Sequence, residues 1–210
     1  MNLELSFQNY LDELSSSSPT PGGGNVAALC GVLASSLGIM VCNLTIGKKK
    51  YSDFELEAAE IKEKLTAHKN EFLEFAEKDN EAFEKVMEAF KLPKDTSEQK
   101  AIRQEKIQAA TLDAAVVPAN VLRKCKETIY LIKIISERGN QISLSDAGVA
   151  SSLLSTAAEG AFFNILINCS SLTNQITAKE FIKGNEILYK EVKEMSGYIT
   201  TSIINKLTKE

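Results

Sequence analysis

Apolar and polar positions recur at helical spacing along almost the whole 210-residue chain, and no stretch shows the sustained alternation of a half-buried strand. The pattern predicts a short first helix over about Leu3 to Leu14, ended by the loop SSSSPTPGGG. An uncharged run follows as a helix from roughly Asn25 to Ile46, and a third helix is expected from about Asp53 to Phe90. KLPKDTS breaks the chain, and Thr96 with Gln99 has the spacing of a capping box that opens a fourth helix. Pro118 falls inside it, where the missing N–H and the ring are expected to cause a kink. ERGN stops that helix, with Gly139 suited to a left-handed cap. A fifth helix is expected from about Ser145 to Cys169. A sixth is expected from Thr177, where Glu180 completes a second capping-box spacing, almost to the C-terminus. With no internal repeat and no long linker, residues 1–210 read as one all-α domain, an up-and-down bundle of long helices.

Two of these helices are rich in small residues. Val26 to Ile46 carries no charge and is long enough to span a bilayer, yet it contains Cys30, Ser35, Ser36, Cys42, Asn43 and Thr45. Ala27, Gly31, Ser35, Gly38 and Cys42 fall on one side, and such a stripe lets another backbone approach closely. The fifth helix repeats the style with Gly148, Ser152, Ser155, Ala158 and Gly160, alongside Asp146 and Glu159. Two small-residue helices buried at the centre of a bundle account for both runs without a membrane.

The third helix holds the sharpest chemical signal. Ala58, Ile61, Leu65, His68, Phe72, Phe75, Asp79, Ala82 and Val86 follow alternating spacings of three and four, the stripe that faces a core. Asp79 stands on that stripe, while Glu77, Lys78, Glu81 and Glu84 flank it or point outward. Burying a lone carboxylate is costly and raises its pKa. Asp79 is therefore either paired with a cation or held as an acid/base for chemistry near neutral pH. His68, on the same stripe with no partner nearby in sequence, reads as a packed core histidine.

Composition narrows the partners. A net charge of −4 lacks the basic field of a nucleic-acid binder. Cys30, Cys42, Cys125 and Cys169 form no CxxC pair, so free buried thiols in a reducing compartment are expected and a zinc site is not. The N-terminus carries acids where a signal peptide carries basic residues, which makes the cytoplasm the expected location.

Other candidates each keep a structural alternative. PGGGN, Pro21 to Asn25, presents free backbone N–H groups at a helix start, suited to an anion or a polar ring edge; equally, the glycines could serve a tight turn with positive φ. It is no P-loop, because Gly47-Lys48 is followed by Lys49 rather than Ser or Thr. Asn164 and Asn168 put two amides on one helix face, either for a ligand edge or for each other and a neighbouring helix. Asp146 is a candidate N-cap. Lys48, Lys49 and Lys50 are either surface charges at a helix end or attractors of an anionic tail.

SPTPGGGNVAAL, NLTIGKKKY, DNEAF, LPKDT, Val117-Pro118, GNQISLSDAGVA and AFFNILIN occur in order between Ser18 and Asn168. In these segments the chain resembles the cyclodeaminase/cyclohydrolase family of folate enzymes. That family includes the C-terminal domain of formiminotransferase-cyclodeaminase and stand-alone methenyltetrahydrofolate cyclohydrolases. Asn25 departs from relatives, which often carry Ser after the glycines. The resemblance implies a stand-alone, homodimeric helical enzyme with folate in a cleft near the subunit interface. It needs no metal or cofactor beyond the folate substrate, and Asp79 is its catalytic carboxylate. It further implies that Pro21, Gly22, Gly23, Gly24 and Asn25 shape the approach to the pterin or linker. Asn43, Lys48 and Lys49 line the mouth, with the lysines facing the glutamate tail. Asp146, Asn164 and Asn168 meet the pterin edge. Formiminotetrahydrofolate cyclodeaminase is the expected activity, methenyltetrahydrofolate cyclohydrolase the alternative. A catalytically silent folate-binding or subunit-binding dimer is a third reading, against which Asp79 on the core stripe speaks.

Overall fold

The computed structural model describes residues 7–208, and every regular element among them is helical. The predicted start of the first helix at Leu3 lies outside the described residues. Helix α1 spans Phe7–Leu14, α2 Gly23–Thr45, α3 Glu55–Lys91, α4 Ser97–Arg138, α5 Leu144–Ser170 and α6 Gln175–Leu207. Short 3-10 turns at Lys49–Tyr51 and Gln141–Ser143 lead into α3 and α5.

The bundle is organised around α2 and α5, which pack against each other and against their neighbours α3, α4 and α6. By length and hydropathy both are apolar enough to cross a membrane; here they form the centre of the bundle. The predicted stripe on α2 is the buried one: Ala27, Gly31, Ser35, Gly38 and Cys42 are all buried. Its glycines are contact points, since a Cβ on Gly31 would sit 2.5 Å from the Phe72 ring and one on Gly38 2.8 Å from Leu65. On α5 the stripe is different from the predicted one. Ser152 is exposed, and the buried face runs through Ala147, Ala150, Ser151, Leu154, Ala157, Ala158 and Ala161. Alanine is small enough for close packing without being as conspicuous as glycine or serine. All four cysteines are unpaired thiols, with burial pushing Cys42 up to about 11.

Helix ends follow local chemistry, with three corrections. Thr96 and Gln99 form the full predicted capping box. Gly139, however, is extended at φ −75° and ψ −170°; the one glycine with positive φ is Gly47, at 76°. The sixth helix begins two residues before Thr177, because Asn174 Oδ1 accepts the Thr177 N–H at 3.2 Å. Asp146 is not a cap, since the preceding 3-10 turn starts α5 at Leu144 and makes Ser143 the cap position. Helix α4 runs unbroken through Pro118.

Candidate active site

Asp79 lies in a cleft of about 320 Å³ at one end of the bundle. Its walls come from Gly22–Gly24 at the start of α2, from Asp79, Ala82, Phe83 and Val86 on α3, from Ala114 on α4 and from Asn164, Ile167 and Asn168 on α5. Pro19 and Thr20 close it; Pro21, joined to Thr20 by a cis peptide bond, is not among the lining residues.

Gly24 is what lets the carboxyl come so near α2. A Cβ there would lie 2.6 Å from Asp79 Cγ, far inside contact distance. None of the three glycines has positive φ, so the triplet serves close approach rather than a left-handed turn. Asp79 thus faces the first turn of α2, where backbone N–H groups have no partner within the helix.

Two effects oppose each other at this carboxyl. Burial raises its pKa above the ordinary aspartate value of 3.8, while the Asn25 backbone N–H beside it works in the opposite direction. Burial wins, and no cation contributes to the shift. The ion-pair alternative for Asp79 is therefore not the one realised, and a proton on this group is held more tightly than on an ordinary aspartate.

Asn25 acts behind the cleft. Its side chain is fully buried, accepting from Tyr10 Oη at 2.9 Å and donating to the Ala76 carbonyl at 2.8 Å. Helix α1 is thereby pinned to α2, and α2 to the turn of α3 that carries Asp79. The predicted contact of Asn25 with a ligand is replaced by this positioning role, because both ends of its amide are already engaged.

Asn164 and Asn168 do line the cleft. Asn164 Nδ2 donates to Gly160 O at 2.8 Å and Asn168 Nδ2 to Asn164 O at 2.9 Å. Asn168 Nδ2 also reaches the Ala114 carbonyl on α4 at 3.4 Å, and among the described residues the two side-chain carbonyl oxygens accept no hydrogen bond. Two free acceptors therefore border the same cleft as the carboxyl of Asp79.

A family model described as formiminotransferase-cyclodeaminase matches residues 6–185. The chain belongs to the formiminotransferase-cyclodeaminase family. A methenyltetrahydrofolate cyclohydrolase of Methylorubrum extorquens is 39% identical over 201 residues, spanning 96% of this chain and 97% of that protein. The mouse formimidoyltransferase-cyclodeaminase is 27% identical over 96% of this chain, which corresponds to 37% of the mouse protein. The crystal structure of a formiminotetrahydrofolate cyclodeaminase from Thermotoga maritima aligns with a TM-score of 0.82 at 29% identity, covering 96% of this chain and 98% of that one. The chain is accordingly an enzyme of the cyclodeaminase/cyclohydrolase kind, acting in folate chemistry.

For a family member the remaining predicted residues fall in an unexpected place. Asn43, Lys48 and Lys49 follow at the far end of α2, roughly 28 Å from Gly24 by helical rise. Asp146 is at the same pole, because Asn140, just before α5, donates to Leu44 O and to Thr45 Oγ1. One chain does not bring these four to the cleft. His68 is half-buried against α4, 3.0 Å from Thr128 Oγ1, with burial the main cause lowering its pKa. The walls Phe83, Ala114 and Ile167 went unpredicted. Only the stretches around two of them, DNEAF and AFFNILIN, carried a signal.

Proposed function

We propose that this chain is a methenyltetrahydrofolate cyclohydrolase, with Asp79 as the proton-transferring group. The observation that carries the choice is the 39% identity to the Methylorubrum cyclohydrolase across nearly the full length of both chains. This reverses the order expected from the sequence, where cyclodeaminase came first. The Thermotoga structure, at 29% identity, favours formiminotetrahydrofolate cyclodeaminase as the second reading.

One carboxyl serves either reaction. In the hydrolase, water adds to the methenyl carbon, Asp79 takes a proton from it, and the carbon–nitrogen bond to one ring nitrogen breaks as that nitrogen is protonated. In the cyclodeaminase, the linker-arm nitrogen attacks the formimino carbon, Asp79 takes its proton, and the departing ammonia receives one. Each is a proton relay between two atoms on one carbon, which suits a carboxyl whose pKa burial has moved toward neutrality. The free oxygens of Asn164 and Asn168 suit the N–H donors on the pterin edge. The enzyme needs no metal or cofactor beyond folate.

Purified protein given methenyltetrahydrofolate is expected to accelerate loss of the methenyl chromophore. With formiminotetrahydrofolate it is expected to release no ammonia. Chromophore growth with ammonia release from the second substrate would instead establish the cyclodeaminase, and silence toward both would leave a folate-binding dimer.

The enzyme is proposed to work as a cytoplasmic homodimer. The two central helices turn uncharged apolar side chains outward, including Leu33 at 55% exposure, Phe163 at 60% and Ile167 at 66%. Ile167 also borders the cleft, so a second copy seated there would adjoin the site. If the two α2 helices run antiparallel across the two-fold axis, the Asn43–Lys49 end of one meets the glycine end of the other. Sedimentation is expected to give a dimer that Leu33→Glu splits; a monomeric wild type would rule it out.

A further inference from the structure

A second, smaller pocket adjoins the Asp79 cleft. It measures about 260 Å³, lies between the C-terminal end of α3 and the start of α4, and shares Val86 and Asn168 with the cleft. Arg103 is the only residue with a formal charge among those lining it, and no carboxylate is present to neutralise it.

The guanidinium of Arg103 is fixed in place. Its Nε and Nη2 donate to the Phe90 carbonyl at 3.2 and 2.9 Å, and its carbon lies 5.4 Å from the centre of the Phe90 ring. Phe90 is in the last turn of α3, where carbonyls lack helical partners and a cation is favoured. These contacts use two of the five N–H donors of the fork, leaving the Nη1 edge without a protein partner among the described residues. Several other cations on the bundle are paired with acids: Arg138 with Glu57, Lys124 with Glu71 and Glu127, Lys126 with Glu191. Among the described residues Arg103 has no such acid. The larger neighbouring cavity between α3 and α4 is different, since Lys78, Lys85 and Lys106 are balanced there by Glu81, Glu88 and Asp113.

An immobilised arginine in a pocket without anions is suited to a carboxylate. Phe90 is eleven residues beyond Asp79 on one helix, roughly 16 Å by rise. That is the scale of the folate arm, which joins the reacting bridge to a terminal glutamate. We infer that Arg103 anchors a carboxylate of the substrate's glutamate tail, with the arm running along α3 from the Asp79 cleft past Val86. This rests on the folate reading above. It gives Arg103 the role that the sequence suggested for Lys48 and Lys49, which lie at the opposite pole of the same chain and in the proposed dimer could approach the cleft only from the second copy.

The test compares the KM of methenyltetrahydrofolate carrying one glutamate with that of its tail-less pteroate counterpart. Wild type is expected to prefer the glutamylated substrate by about 10–100-fold, the range of a charge-assisted hydrogen bond. In Arg103→Ala that preference is expected to fall to about one. Arg103→Lys, which keeps the charge but not the fork, is expected to retain part of it. Arg103 would be only a cap for α3 if Arg103→Ala kept the preference, or if the preference disappeared in Lys48→Ala/Lys49→Ala instead. Should wild type turn over neither substrate, equilibrium binding of the same two folates makes the same comparison. Binding that depends on the tail and on Arg103, without turnover, would overturn the proposed reaction and leave the anchor standing. Failure to bind either would overturn both.

Discussion

Replacing Asp79 by Asn is expected to lower kcat about 10²- to 10⁴-fold, the usual worth of a positioned proton-transfer group. The fold should survive, because Asn is nearly isosteric and Asp79 has no cationic partner among the described residues to strand. Stability should change with a definite sign. The folded pKa lies above the unfolded value, so the folded state holds the proton more tightly. Wild-type stability is therefore penalised as pH rises from 3.8 through the folded pKa, and the full cost is present above it. Asp79→Asn escapes that cost. Thermal melts should place it above wild type at pH 7, with the gap narrowing as pH falls toward 3.8. The acid limb of wild-type kcat/KM should fall above the ordinary aspartate range for the same reason. Full activity in the variant would remove Asp79 from the chemistry, and a lower melting point at pH 7 would mean that burial does not dominate its environment.

Gly24→Ala is expected to be nearly as damaging to activity while leaving every titratable group in place. Its Cβ would lie 2.6 Å from Asp79 Cγ, so the carboxyl must swing away or the start of α2 must shift. A displacement on the order of 1 Å at a reacting group costs about 10²-fold in rate. Overpacking of this kind costs about 1–3 kcal/mol of stability. The control is Gly184→Ala on α6, where no atom lies within 4 Å of the added methyl group. That change should stabilise the helix by about 0.5–1 kcal/mol and leave turnover alone. If Gly24→Ala behaves like Gly184→Ala in both assays, the contact between α2 and Asp79 is not what positions the carboxyl.

The sequence announced Asp79 because a single helix carries its own periodicity. A carboxylate on the line of Phe72 and Phe75 is out of place before any neighbour is known. The capping box at Thr96 was legible for a similar reason, being complete within four residues. Thr177–Glu180 had the same spacing but lost to Asn174, whose side chain captured the Thr177 N–H and started the helix earlier. Of the two readings of the glycine triplet, the tight turn with positive φ is not the one realised. Positive φ is a local property, whereas the approach of Gly24 to Asp79 joins residues 55 positions apart and leaves no mark in either segment. Asn25 illustrates the same limit, since nothing in PGGGN reveals that Tyr10 and the Ala76 carbonyl will occupy its amide. Arg103 was invisible among surface-patterned charges until α3 and α4 packed and left it facing a pocket without an acid.

The cleft around Asp79 takes its walls from residues near 20, near 80, at 114 and near 165. No short contiguous segment of the chain contains it, and no pair of neighbouring helices does either. It depends on contacts distant in sequence, the kind a folding chain closes slowly. Catalytic competence is thus a property of the finished topology: a partly assembled bundle can be rich in helix and still have nowhere for a folate to bind.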